Sequence, residues 1–111
     1  MAIMQLTGEN FDEIIAKNDL IVLDFWAPWC APCRSFNAII EQTHEACEDV
    51  LFAKVNIDEQ AALAEEFDVK SVPAILVVRK QVVVFAQSGL MPKQALLDLI
   101  EQARKLDVSK L

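Results

Sequence analysis

Cys30 and Cys33 stand two residues apart in the run Phe25-Trp26-Ala27-Pro28-Trp29-Cys30-Ala31-Pro32-Cys33. An apolar segment, Leu20 to Trp26, precedes them, and a stretch with helical character follows at once. Two thiols at this spacing can close a disulfide within one turn. At a helix start they also lie where unpaired N–H groups and the helix dipole favour negative charge. Cys30 should therefore ionise more easily than a free thiol, and the thiolate is the reactive form. Such a dithiol exchanges disulfides with other molecules.

Asp24 is the second chemical signal, because it interrupts the run Leu20-Ile21-Val22-Leu23-Asp24-Phe25-Trp26. Either the strand end is exposed and Asp24 is solvated, or it is buried among large apolar neighbours. Burial disfavours the charged form and raises a carboxyl pKa. A carboxyl tuned toward neutrality can accept and return a proton. Trp29 beside the thiols is either core or partly exposed; Trp26 is the better core candidate.

A zinc site competes for the two cysteines, and the other soft ligands are His44 and Cys47. With residues 33–47 in one helix, Cys33 and Cys47 stand roughly 21 Å apart at about 1.5 Å per residue. Zinc–sulfur bonds of about 2.3 Å cannot bridge that distance. No metal is expected. His44 and Cys47 read as a surface histidine and a semi-buried thiol, with Cys47 a secondary oxidation site if exposed.

The elements that must position these groups alternate between strand and helix periodicity. Ile3 to Leu6 predicts a strand. Thr7 or Glu9-Asn10 can cap a helix over 9–17 with Phe11, Ile14 and Ile15 on its apolar face. Leu20 to Trp26 reads as a strand buried on both faces. A helix over 33–47, a strand over 50–57 and a short helix over 59–67 follow. Ala74 to Val78 and Val82 to Gln87 predict two strands joined by Arg79-Lys80-Gln81. Pro92 opens a last amphipathic helix carrying Leu96, Leu99, Ile100 and Ala103, and residues past Lys105 are expected to fray. The order βαβαβαββα gives an α/β fold, a mixed sheet with helices on both faces.

The 111 residues suit a single domain, 1–111, and 54% hydrophobic residues suffice for a core without disulfide staples. A formal charge of −7 argues against nucleic acid and against anionic membrane surfaces. Three cysteines do not make a secreted disulfide framework. Met1 to Thr7 lack a basic then apolar leader, and no apolar run approaches the roughly 20 residues of a bilayer span. The expected compartment is the cytosol.

Along nearly its whole length the chain resembles the thioredoxin family. Asp24-Phe25-Trp26-Ala27, Trp29-Cys30, Pro32-Cys33, Lys54-Val55-Asn56-Ile57-Asp58, Val72-Pro73 and Gly89 carry the match. The resemblance implies the thioredoxin fold and a protein-disulfide reductase. Cys30 attacks a substrate disulfide and Cys33 resolves the mixed disulfide. Asp24 helps deprotonate Cys33, through water, and Lys54 lies near Asp24, although a solvated strand lysine is nearly as good a reading of the sequence alone. The resemblance also implies a cis peptide before Pro73 facing the dithiol. Val72 then offers backbone groups to an extended substrate segment, and Gly89 allows close approach. Trp29, Ala31, Val72, Pro73 and Gly89 make a shallow apolar platform, while Pro32 stiffens the turn. No cofactor beyond the Cys30–Cys33 pair is implied. The partners are disulfide-bearing proteins and a thioredoxin reductase drawing on NADPH, and the protein is expected to be a monomer.

Three departures from the family pattern stand out. Ala31-Pro32 replaces Gly-Pro between the cysteines, so the redox potential does not carry over. Ala38 replaces a helix-kinking proline, which predicts a straighter helix. The Arg79-Lys80-Gln81 turn lacks an Asn-Gly pair, so Lys80 or Gln81 must take φ > 0 at roughly 1 kcal/mol. Val82 to Phe85 could lie at a sheet edge, with Arg79 and Lys80 as gatekeepers. Two other functions stay open beside the reductase: a thiol oxidant or isomerase, and a binding module that uses the platform without turnover.

Overall fold

Continuous apolar runs need cover on both faces, and the chain supplies it with helices on each side of one sheet. The computed structural model describes residues 3–110. They form β1 (Met4–Gln5), α1 (Phe11–Lys17), β2 (Leu20–Trp26), α2 (Ala31–Ala46), β3 (Leu51–Asn56), α3 (Ala61–Glu66), β4 (Ala74–Arg79), β5 (Val82–Ser88) and α4 (Lys93–Lys105). The sheet order is β1-β3-β2-β4-β5. β3 runs parallel to β1 and β2, whereas β4 is antiparallel to β2 and β5 to β4. This is the α/β thioredoxin fold.

Alternation along β2 divides the core in two. Leu20 and Val22 pack with Phe36 and Ile40 of α2 and Leu96 and Ile100 of α4. Ile21, Leu23 and Phe25 pack with Leu63 of α3, and Phe11, Ile14 and Ile15 of α1 cover them. Even-numbered β2 residues therefore face α2, which puts Asp24 on the side of the helix that carries Cys33.

Most elements shift by one or two residues from expectation, α2 starting at Ala31 rather than at 33, and three of the differences have a clear local reason. Asn10 precedes α1 but makes no side-chain cap to it. Its Oδ1 instead accepts the Thr7 N–H at 2.8 Å and its Nδ2 donates to the Gln5 carbonyl at 3.1 Å, which ties α1 to β1. The third helix starts at Ala61 because Asn56 Oδ1 accepts the Asp58 and Glu59 N–H groups, at 2.9 and 3.3 Å, and holds a turn there. The segment past Lys105 does not simply fray. The Arg79 guanidinium donates to the Ala103 and Arg104 carbonyls at 3.2 and 2.9 Å, and Val108–Lys110 forms a 3-10 turn.

α2 runs unbroken from Ala31 to Ala46 through Ala38. In the β4–β5 hairpin both Lys80 (φ 48°) and Gln81 (φ 69°) are left-handed. This is the two-residue turn geometry that matches strand twist, built without glycine. β5 lies at the sheet edge, and its register with β4 slips between Val77 and Val78.

Candidate active site

β2 ends at Trp26, and the chain turns through Ala27-Pro28-Trp29 into α2, with the Cys30 N–H bonded to the Ala27 carbonyl at 3.1 Å. Cys30 is the N-cap of α2 and is joined to Cys33 by a disulfide, with Cα atoms 5.3 Å apart. The Cys30 sulfur accepts the backbone N–H of Cys33 at 3.1 Å, so it fills the role an N-cap oxygen usually plays. Ala31 and Pro32 are the first two helical residues, where a missing N–H costs nothing. Both sulfur residues are nearly covered, at 4% and 3% exposure, and Trp26, Ile57 and Val72 pack around them. Arg34 braces the turn by donating to the Pro28 carbonyl at 2.9 Å.

Trp29 is 66% exposed beside the disulfide, not part of the core. Its Nε1 donates to Asp58 Oδ1 at 3.2 Å, which fixes the indole over the turn between β3 and α3. Trp26 is half-buried against the cysteines, and its indole nitrogen has no partner among the described residues. Asp58 and Asn37 belong to the site's surroundings although sequence reasoning gave neither a role. Asp58 lies within the quoted Lys54–Asp58 segment, which was the available signal; nothing marks Asn37 before the helix is set on the sheet.

Asp24 is 2% exposed, and neither carboxylate oxygen has a hydrogen-bond partner among the described residues. Burial raises its carboxyl from an ordinary 3.8 to about 6, and the Lys54 charge offsets part of that rise. Asp24 and Lys54 are register partners on β2 and β3. Lys54 is not a freely solvated strand residue: its Nζ donates to Asn37 Oδ1 at 2.6 Å. Asn37 lies one helical turn beyond Cys33, on the same face of α2. Asp24, Lys54, Asn37 and Cys33 thus lie on one side of the sheet.

The Val72–Pro73 peptide bond is cis. Val72 packs on the disulfide cluster, and the strand pairing of β4 begins only at Ala74. Pro73 itself is buried, so its ring contributes less surface than the sequence suggested. Its carbonyl accepts the Gly89 N–H at 2.8 Å. A Cβ at Gly89 would meet nothing within 4 Å among the described residues, and its φ of 93° is itself a reason for glycine there. Ala31 and Pro32 are exposed.

The other soft ligands stand at the far end of α2. His44 is half-buried with its ring edge-to-face on Phe52, not a surface histidine, and Cys47 is a buried free thiol. Among the described residues no three metal-ligating side chains cluster, and no helix is long and apolar enough to cross a membrane.

Residues 2–102 match the thioredoxin family model. A Streptomyces coelicolor protein with a thioredoxin name is 46% identical over 107 residues, covering 96% of this chain and 80% of that one. The thioredoxin of Haemophilus influenzae is 32% identical over 102 residues, covering 90% and 95%. Among solved structures, a mutant thioredoxin from Halobacterium salinarum superposes with a TM-score of 0.87 at 31% identity, covering 96% and 98% of the two chains. Mitochondrial thioredoxin 3 of Saccharomyces cerevisiae, in its oxidised form, gives 0.84 at 30% identity, covering 90% and 94%.

Proposed function

The chain belongs to the thioredoxin family and is a protein-disulfide reductase, and we propose that it divides the work between Cys30 as attacking thiolate and Cys33 as resolving thiol. The observation that carries this division is the Cys33 N–H directed at the Cys30 sulfur from the first turn of α2. A sulfur that caps a helix is favoured as an anion. Cys33 donates that bond, and among the described residues its own sulfur receives no equivalent one.

The reaction then balances as follows. The Cys30 thiolate attacks one sulfur of a substrate disulfide, the substrate S–S bond breaks, and the departing thiolate takes a proton. Asp24 accepts the Cys33 proton, through water, and the new Cys33 thiolate attacks the Cys30 sulfur. The mixed disulfide breaks, the second substrate sulfur leaves as a thiolate and takes up the proton that Asp24 held, and the protein holds the Cys30–Cys33 disulfide. Two electrons have passed to the substrate. The redox couple lies in the chain itself, as in other thioredoxins. The family implies a reductase partner; we assign NADPH as the source of its electrons.

Substrate docks as an extended segment against the backbone of Val72, with Trp29, Ala31, Pro32, Pro73 and Gly89 shaping the floor. The start of the β4 ladder at Ala74 supports this, because it leaves Val72 outside the sheet's own pairing. Residues 1–111 act as one domain and a monomer in the cytosol. That reading is supported by one sheet shared between both apolar clusters and by a dithiol used for chemistry rather than as a staple.

Cys33→Ser should accumulate mixed disulfides with substrate proteins, whereas Cys30→Ser should form none. Full turnover by Cys33→Ser would remove the resolving role. The Ala31-Pro32 dipeptide keeps an oxidant or isomerase as the second reading. A midpoint potential of about −270 mV marks a reductant, and one above roughly −200 mV would favour that second reading.

A further inference from the structure

Lys54 faces Asp24 across the β2–β3 ladder, yet among the described residues neither Asp24 oxygen receives a hydrogen bond. A flexible ammonium beside a buried carboxylate is drawn to it strongly, since burial strengthens the attraction. Lys54 instead gives its Nζ proton to the Asn37 side-chain oxygen at 2.6 Å. Asn37 projects from α2 one turn beyond Cys33, on the helix face turned to the sheet.

We propose that Asn37 is a positioning residue: by accepting Lys54 it holds that charge off Asp24 and keeps the carboxyl able to carry the Cys33 proton. The inference rests on the reading that Asp24 serves Cys33 and adds what sets the proton affinity of Asp24. A neutral amide oxygen suits this role. It satisfies an ammonium donor without cancelling its charge. An ammonium released onto Asp24 would make a charge-assisted bond and favour the carboxylate, which then holds a proton poorly. Among the described residues Lys54 is the charge that acts on Asp24: β4 sets Ile75 opposite it, and the residues that α2 and α4 bury on this side of the sheet nearest β2, Phe36, Ile40 and Leu96, are apolar. The titratable groups at this end of the face are Lys54 and, in the dithiol state, Cys33; His44 and Cys47 lie on the same face at the far end of α2.

The test is a carbon-13 carboxyl NMR titration of Asp24 in the oxidised protein, where no cysteine of the pair titrates. In Asn37→Ala the Asp24 midpoint should fall by about one pH unit or more, a tenfold or greater loss of proton affinity. In Asn37→Asp an anionic acceptor grips Lys54, and the midpoint should not fall. Alanine is the better helix former, so folding is not at risk. A merely structural role for Asn37 would shift the melting temperature and leave the midpoint in place. An unchanged or raised midpoint in Asn37→Ala, or a fall in both variants, overturns the proposal. Because the titration needs no turnover, it stands apart from Asp24→Asn kinetics, which test whether Asp24 serves Cys33 at all.

Discussion

The backbone N–H of Cys33 points at the sulfur of Cys30, 3.1 Å away, within the same turn that joins the two by a disulfide. One cysteine donates and the other receives, so the pair is unequal before any substrate arrives. In the reduced protein, iodoacetamide at about neutral pH should label Cys30 well before Cys33, because alkylation follows the thiolate fraction. Peptide mapping by mass spectrometry reads the order. Equal labelling of both would contradict the assignment.

Asp24→Asn should separate the two half-reactions. Attack by Cys30 should stay near its normal rate, while release of the mixed disulfide slows. Without a base, release follows the Cys33 thiolate fraction and should climb about tenfold per pH unit below an ordinary thiol pKa of about 8.5. Stopped-flow measurement across about pH 6 to 9 gives the slope. A variant whose profile overlays the parent would take Asp24 out of the chemistry.

The same carboxyl makes folding pH-dependent. Burial raises it from 3.8 in the unfolded chain to about 6 in the folded one. Between those values the folded protein keeps a proton that the unfolded chain has released, so stability falls as pH rises through that window. The loss amounts to roughly 3 kcal/mol once pH is above about 7. Urea unfolding of the parent and Asp24→Asn should therefore diverge, with the variant gaining about that much between about pH 4 and pH 7.5. Parallel curves would mean that Asp24 is already ionised without cost.

The β4–β5 turn carries avoidable strain, with Lys80 and Gln81 both at positive φ. Replacing the pair by Asn and Gly should stabilise the protein by about 1–2 kcal/mol, because left-handed backbone costs side-chain-bearing residues roughly that much. The turn is remote from the cysteines in the fold, so reductase activity should not change. Denaturant midpoints decide it.

Cys47 is buried at the C-terminal end of α2. Toward an aromatic disulfide reagent Cys30 should react first and Cys33 then displace the bound reagent, so the reduced native protein should release two equivalents of reagent thiolate quickly, and Cys47, far from the pair, should add its own only on unfolding. A third fast thiol would expose Cys47 to the oxidation considered for it above.

Much of this was legible in the chain because each signal was local. The apolar run over Leu20 to Trp26 marked a strand covered on both faces, and Asp24 inside it marked a carboxyl that burial would perturb. The hairpin without glycine announced left-handed residues. What stayed hidden depends on contacts between elements. Lys54 could not be told from a solvated lysine, because its partner Asn37 lies on a helix whose rotation over the sheet fixes the contact. Trp29 meets Asp58 only after β3 ends beside the cysteine turn. The tail past Lys105 read as loose because its anchor, the Arg79 guanidinium on the Ala103 and Arg104 carbonyls, comes from a distant strand.

The outer margin of β5 remains without a partner strand among the described residues, and it carries the exposed Val82 and Val83. A straight apolar margin of that kind recruits the same margin of another molecule. Here the slip between Val77 and Val78 distorts the pairing that would keep the strand flat, and Lys80 stands at its entrance, whereas Arg79, the other expected gatekeeper, is turned inward onto the Ala103 and Arg104 carbonyls. Copies of the chain meeting edge to edge would have to align two irregular ladders. The register slip thereby works against a second copy of the chain pairing along this margin.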